Sequence, residues 1–203
     1  MKERPILFSG PMVRAILEGR KTQTRRVLKV APSYTLSTQA TFTMQPNGNV
    51  LLERWPRQER EMNNFGRGAQ YPCPYGVTGD RLWVRETFHW SENYEPIYRA
   101  CIDLGLASVV DHFRVKHEER WVPSIHMPRW ASRILLEVTE VRVQRLQEMS
   151  EDDALAEGRS LNPNDLAGFF PDTWDSINGK SHPWASNPWV WAITFKRIAP
   201  EQK

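Results

Sequence analysis

The stretch from Gly10 to Arg26, GPMVRAILEGRKTQTRR, constrains this chain most, because it confines a helix at both ends and then forces the backbone out of it. Ser9 or Gly10 can cap the helix, Pro11 suits a first position that needs no backbone donor, and Gly19 can take the left-handed turn that ends it. Two turns of helix result. Met12, Val13, Ile16 and Leu17 form an apolar stripe that anchors them to a core, while Arg14 and Glu18 fall one turn apart on the other side. The run Arg20, Lys21, Thr22, Gln23, Thr24, Arg25, Arg26 that follows is too polar for a core and too short for a tail, so it is held in place by the helix before it.

The rest of the composition narrows the class. At 203 residues the chain can bury one sizeable core, and one elaborated domain over 1–203 is expected. Cys73 and Cys101 share no metal-type spacing, which argues against a zinc knuckle or a disulfide framework and for a reducing compartment. No apolar run approaches about 18 residues and MKERPILFSG has no signal-type apolar region, so the expectation is a cytoplasmic protein with no membrane partner. Residues 1–30 carry eight Lys and Arg against Glu3 and Glu18, a local charge of +6 in a chain of net charge +3. A basic patch of that kind suits a phosphate-bearing partner, and equally a solvated face that binds nothing. Trp83, Trp130, Trp189 and Trp191 sit in strand-like runs and read as core.

Along the chain, Pro5–Phe8 reads as a first strand. A hairpin is expected between Tyr34 and Leu52 around Asn47-Gly48, followed by an irregular excursion from Trp55 to Gln70. Asp80–Phe88 alternates as a central strand after a turn that Asp80 ties down by accepting backbone donors. Within that strand Glu86 either faces solvent or is buried beside an Arg or Lys, and is a secondary site candidate. Glu95–Asp103 reads as a further strand and Arg133–Val143 as a strongly β-forming one, with His126 in the turn between given no chemistry. Ser150 and Asp153 form the two halves of a capping box, and Gly158 ends that helix. Glu157 at its last turn opposes the helix dipole, which asks for a partner or a job. Asn164–Gly179 reads as a packing helix and Trp189–Ile198 as the closing strand.

Three pieces in order, GRKTQTRR at Gly19–Arg26, TGDRLWVRET at Thr78–Thr87 and EVTEVRV with MSEDDALAEG within Glu137–Gly158, together with the VWAITFKRI ending, resemble the motifs of ASCH domains, small relatives of the PUA barrel. The whole chain is most similar to the longer ASCH proteins of bacteriophages and prophages. The resemblance implies an α+β fold, a PUA-like mixed β-barrel flanked by short helices, with 30–75 and 161–188 as insertions. It also implies an activity, since ASCH domains include bacterial amidohydrolases that remove the acetyl group from N(4)-acetylcytidine with a Lys, a Thr and a Glu. Their motif positions match Lys21, Thr24 and Glu157. An amine, a hydroxyl and a carboxylate make a workable hydrolytic set when the lysine's pKa is lowered by burial or nearby cations. Arg20, Arg25 and Arg26 are available as those cations, and Thr22, Glu86, Trp83 and Tyr75 join them as candidate substrate- or phosphate-binding residues.

The leading expectation is therefore an amidohydrolase of an acylated pyrimidine nucleoside, with Thr24 as nucleophile, Lys21 as its base and Glu157 in proton transfer. If water attacks directly, Glu157 is the base and Thr24 a hydrogen-bond donor. No cofactor or metal is expected. The alternatives are a non-catalytic RNA, DNA or modified-base reader, in which Arg20, Lys21, Arg25 and Arg26 hold phosphates and Trp83 or Tyr75 stacks a base, or an ASCH-type ribonuclease using the same cleft.

Overall fold

The computed structural model describes residues 1–29, 41–45, 48–54, 70–91, 93–102, 121–158 and 170–199. Its centre is an order of strands that the two longest β-forming runs impose. Strand β9 (Leu135–Arg145) and strand β10 (Trp189–Ile198) pair antiparallel along their length, with a bulge between Thr194 and Phe195. Around them stand β1 (Glu3–Leu7), β2 (Gln23–Val27) and β6 (Arg81–Arg85), giving a five-stranded sheet in the order β1-β6-β9-β10-β2. Only the β1–β6 pair is parallel; β6–β9 and β10–β2 are antiparallel. The architecture is thus mixed α+β with a sheet core and few helices. Among the described residues this sheet stays open, with β1 and β2 at its edges, where a closed barrel was expected.

Helix α1 (Gly10–Leu17) follows β1 and buries Val13, Ala15 and Ile16. Ser9 stands at its N-cap without a side-chain bond, so the start rests on Pro11 and the Val13 amide bonding to the Ser9 carbonyl. Gly19 takes φ of +78°, the left-handed turn the sequence predicts. Strands β3 (Thr41–Met44) and β4 (Asn49–Arg54) form a hairpin, and β5 (Gln70–Pro72) extends it to three strands. This small sheet is fastened to the main core by Phe42, whose ring meets that of Trp189 edge-on at 5.1 Å. Of the predicted excursion Trp55–Gln70, residues 55–69 lie outside the described residues, and Gln70 opens β5.

Two predicted strands come out differently. The run from Asp80 to Phe88 is divided: β6 ends at Arg85, and Phe88 opens β7 (Phe88–Trp90), which pairs with β8 (Pro96–Tyr98). The predicted strand Glu95–Asp103 is only β8, after which Arg99–Ile102 turn into a short helix, α2, because Ala100 is small enough to be buried as α2 closes on α1. Helix α3 (Glu151–Ala156) carries the predicted capping box, and helix α4 (Phe170–Asn178) buries Trp174. Of the tryptophans assigned to the core, Trp191 is buried, Trp83 and Trp189 are partly so, and Trp130 is 67% exposed, stacked on Trp90 from the middle of a short 3-10 turn. No helix among the described residues is long and apolar enough to cross a membrane.

Candidate functional site

The polar run after α1 becomes edge strand β2 because Gln23–Val27 finds a partner in β10, in the register Gln23↔Thr194, Thr24↔Ile193, Arg25↔Ala192 and Arg26↔Trp191. Alternation then divides the run between two faces. Gln23 and Arg25 lie on the face of Ala192, which continues through its other partner Arg142 on β9. Thr24 and Arg26 lie on the opposite face with Ile193 and Trp191, both in the main hydrophobic core.

Helix α3 lies close to β2 through its C-terminal end. There the chain makes an isolated bridge, Lys21 against Glu157, and the Thr22 amide donates to the Ala156 carbonyl at 2.8 Å. Lys21 Nζ donates to Glu157 Oε2 at 2.6 Å, to the Glu157 backbone carbonyl at 2.8 Å and to the Gln23 carbonyl at 2.8 Å. This is the partner that a glutamate at a helix C-terminus requires: one ammonium meets both the carboxylate and the terminal carbonyl. The lysine side chain is fully buried and the glutamate's is 6% exposed, so the pair is sealed from bulk water.

Arg25, also buried, donates NH1 to Glu157 Oε1 at 3.2 Å and to Gln23 Oε1 at 2.7 Å, and its NH2 lies 2.8 Å from Asp153 Oδ2. Arg142 reaches the other oxygen of Asp153 at 3.1 Å. Burial lowers the Lys21 pKa, and although the charge and hydrogen bond of Glu157 raise it, Arg26 and Arg25 add to the lowering and the net direction is down. Asp153 is moved the other way from what burial alone would do. Arg25 leads its partners in holding the carboxyl below its ordinary value.

The candidates do not all converge. Lys21, Arg25 and Glu157 form one connected cluster, and Arg20 borders it, donating NH1 to the Gly158 carbonyl at 3.0 Å while pairing with Glu18. Thr24 is 3% exposed on the other face of β2, and among the described residues no hydrogen bond joins it to Lys21 or Glu157. Thr22 is exposed and acts here through its backbone. Arg26 donates to the Leu7 carbonyl and lies over the Phe8 ring at 5.3 Å, with Lys21 Nζ 5.6 Å from the same ring. Glu86 stands in a different cluster: it is 2% exposed and bound by two bonds of 2.9 Å to Arg133, which also covers the Tyr98 ring at 4.0 Å. Burial pushes its carboxyl up and Arg133 only partly offsets that. Trp83 is held in β6 under the Arg85 guanidinium at 5.1 Å, and Tyr75 lines a cavity beside Trp191.

Asp153 is the residue that sequence reasoning undervalued. It reads as half of a capping box, and it is one, yet it stands four positions before Glu157, which puts both carboxylates on one helix face toward Arg25. That spacing was the available signal.

No protein-family model matches the chain, and no curated protein matches it. Among solved structures, the chain aligns over its whole length with 85% of protein EF3133 from Enterococcus faecalis V583, family model DUF984, at 9% identity and a TM-score of 0.41.

Proposed function

We propose that this chain is an ASCH-type, PUA-like protein that hydrolyses the amide bond of an acylated pyrimidine nucleoside such as N(4)-acetylcytidine. The observation that carries the reading is the buried Lys21–Glu157 contact of 2.6 Å, which joins two motif residues 136 positions apart. A lysine used only for solubility would not be placed in a sealed site with its pKa lowered.

In the proposed chemistry the Thr24 hydroxyl adds to the acyl carbonyl carbon and its proton passes to Lys21 as the amine loses its own to Glu157. Collapse of the adduct breaks the C–N bond, and the leaving cytosine amine takes a proton back from the pair. Water then cleaves the Thr24 ester, releasing acetate. Arg25 holds Glu157 in place throughout. Thr24 lies on the face of β2 opposite Gln23 and Arg25, so this route needs the strand itself to shift when substrate binds, whereas attack by water with Glu157 as base needs no such shift.

The burial of Lys21 and Arg25 in ion pairs with carboxylates weighs against the rival in which they clamp phosphates, because each would first have to abandon a buried partner. The test is acetate release from N(4)-acetylcytidine by the purified protein beside folded Lys21→Ala, Thr24→Ala and Glu157→Gln variants. Turnover that falls at least a hundredfold in all three supports the hydrolase. An inactive wild type, together with salt-sensitive RNA or DNA binding lost in Arg20→Ala, replaces it with the nucleic-acid reading. Acetyl-enzyme accumulating in wild type and absent from Thr24→Val marks Thr24 as the nucleophile; none in either moves the attack to water.

A further inference from the structure

A cavity of about 360 Å³ opens between the end of β2, strand β10 and the stretch from β5 to Tyr75. Trp191, Tyr71 and Tyr75 give it three aromatic walls, Pro72 and Pro74 extend its apolar surface, and among the described residues Lys29 is the single charged one in its lining. Its size falls at the lower end of small-ligand pockets, and apolar walls with few polar groups are their usual make-up. Tyr71 to Tyr75 belong to the 30–75 stretch that the resemblance marks as additional, so this wall is a property of the longer chain.

Arg26 adjoins this cavity, one position before the lining residue Val27. It is the register partner of Trp191 and lies on the same sheet face, while Lys21 Nζ and the Arg26 guanidinium both lie over the Phe8 ring. Burial holds the Arg26 pKa below its ordinary value. Its Nε is buried and, among the described residues, has no hydrogen-bond partner. A buried donor without an acceptor is costly, and a carbonyl oxygen from a ligand would satisfy it.

We infer that this cavity is the ring subsite, taking a planar heteroaromatic base with a carbonyl oxygen for Arg26, so that Tyr75 and Trp191 hold the base while its substituent reaches toward Lys21 and Glu157. The assignment of the substituent rests on the hydrolase reading; the ring site does not. Cytidine, which has the ring and the carbonyl but no acyl group, is the probe that separates them.

Titration calorimetry of cytidine against wild type and Tyr75→Ala tests the site. Wild type is expected to bind, and Tyr75→Ala to weaken binding about five- to hundredfold, the range for loss of one stacking side chain. Tyr75→Phe keeps the ring and should bind within about twofold of wild type, which guards against a misfolded alanine variant. With N(4)-acetylcytidine, KM should rise in Tyr75→Ala while kcat stays nearly constant. No cytidine binding by wild type at millimolar concentration, or wild-type affinity in a folded Tyr75→Ala, overturns the ring site. Cytidine binding that depends on Tyr75, without acetate release, upholds the ring site and overturns the hydrolase.

Discussion

Lys21 is the residue whose surroundings most exceed what a surface lysine needs. Its ammonium serves three oxygens at 2.6 to 2.8 Å, two of them from Glu157, and Arg25 shares the same carboxylate. Lys21→Met keeps much of the stem but leaves the Gln23 carbonyl and Glu157 without their main donor. Breaking a buried pair from one side costs about 3–5 kcal/mol, and chemical denaturation should show a loss of that order. The pH dependence carries a sign. Because burial lowers the Lys21 pKa in the fold from its ordinary 10.5, the unfolded chain binds the additional proton between the folded value and 10.5. Stability from this group therefore rises with pH through that window, and the gap between wild type and Lys21→Met should widen as pH climbs toward 10.5. A gap that narrows instead would mean that Glu157 holds the proton on Lys21 more strongly than burial removes it.

At the scale of elements, helix α3 is a short device whose two ends serve different purposes. At its start Ser150 Oγ accepts from the Asp153 amide at 3.1 Å and Asp153 Oδ2 accepts from the Ser150 amide at 3.3 Å. At its end Gly158 has φ of +93°, and a Cβ there would lie 3.1 Å from Ala15 Cβ and 3.2 Å from Lys21 Cβ. Ser150→Ala should cost about 1 kcal/mol and leave the buried pair in place. Gly158→Ala strains the backbone and also pushes on Lys21, so it should cost at least about 1 kcal/mol and reduce turnover far more than Ser150→Ala does. Melting curves and kcat measured on both variants separate the roles. Both ends of this helix were legible because capping is local chemistry: Ser150, Asp153 and Gly158 announce themselves within a few residues. The short helix Arg99–Ile102 was not, because the RACI segment becomes helical only where Ala100 meets α1, and that packing has no local signature. The same limit hid the second use of Asp153, since its i, i+4 relation to Glu157 gains meaning only when Arg25 arrives from another strand.

For the whole molecule, what joins the N-terminus to the sheet is the turn before β6, and its chemistry was readable where the closure of the sheet was not. Asp80 reads as a turn carboxylate, and its Oδ1 accepts from the Lys2 amide at 2.7 Å while Oδ2 takes Arg4 at 2.8 Å and the Val77 amide at 3.4 Å. Those bonds pin β1 beside β6, the one parallel pair in the sheet, whereas strand periodicity specifies faces and says nothing of whether β1 and β2 meet. Burial acts to raise the Asp80 pKa, but the Lys2 and Val77 amides and the Arg4 guanidinium outweigh it and hold the carboxyl below its ordinary 3.8. The contribution is therefore present in full above 3.8 and disappears as pH falls through the lower folded value, where the unfolded chain has already taken its proton. Asp80→Asn keeps the shape and removes the charge, at a cost of about 1.5–3 kcal/mol near neutrality for hydrogen bonds to a charged group. Urea unfolding of the two proteins along a pH series should show their stabilities converging below about pH 4. Curves that stay parallel down to pH 2 would mean that β1 is held by its ladder with β6 and not by this carboxylate.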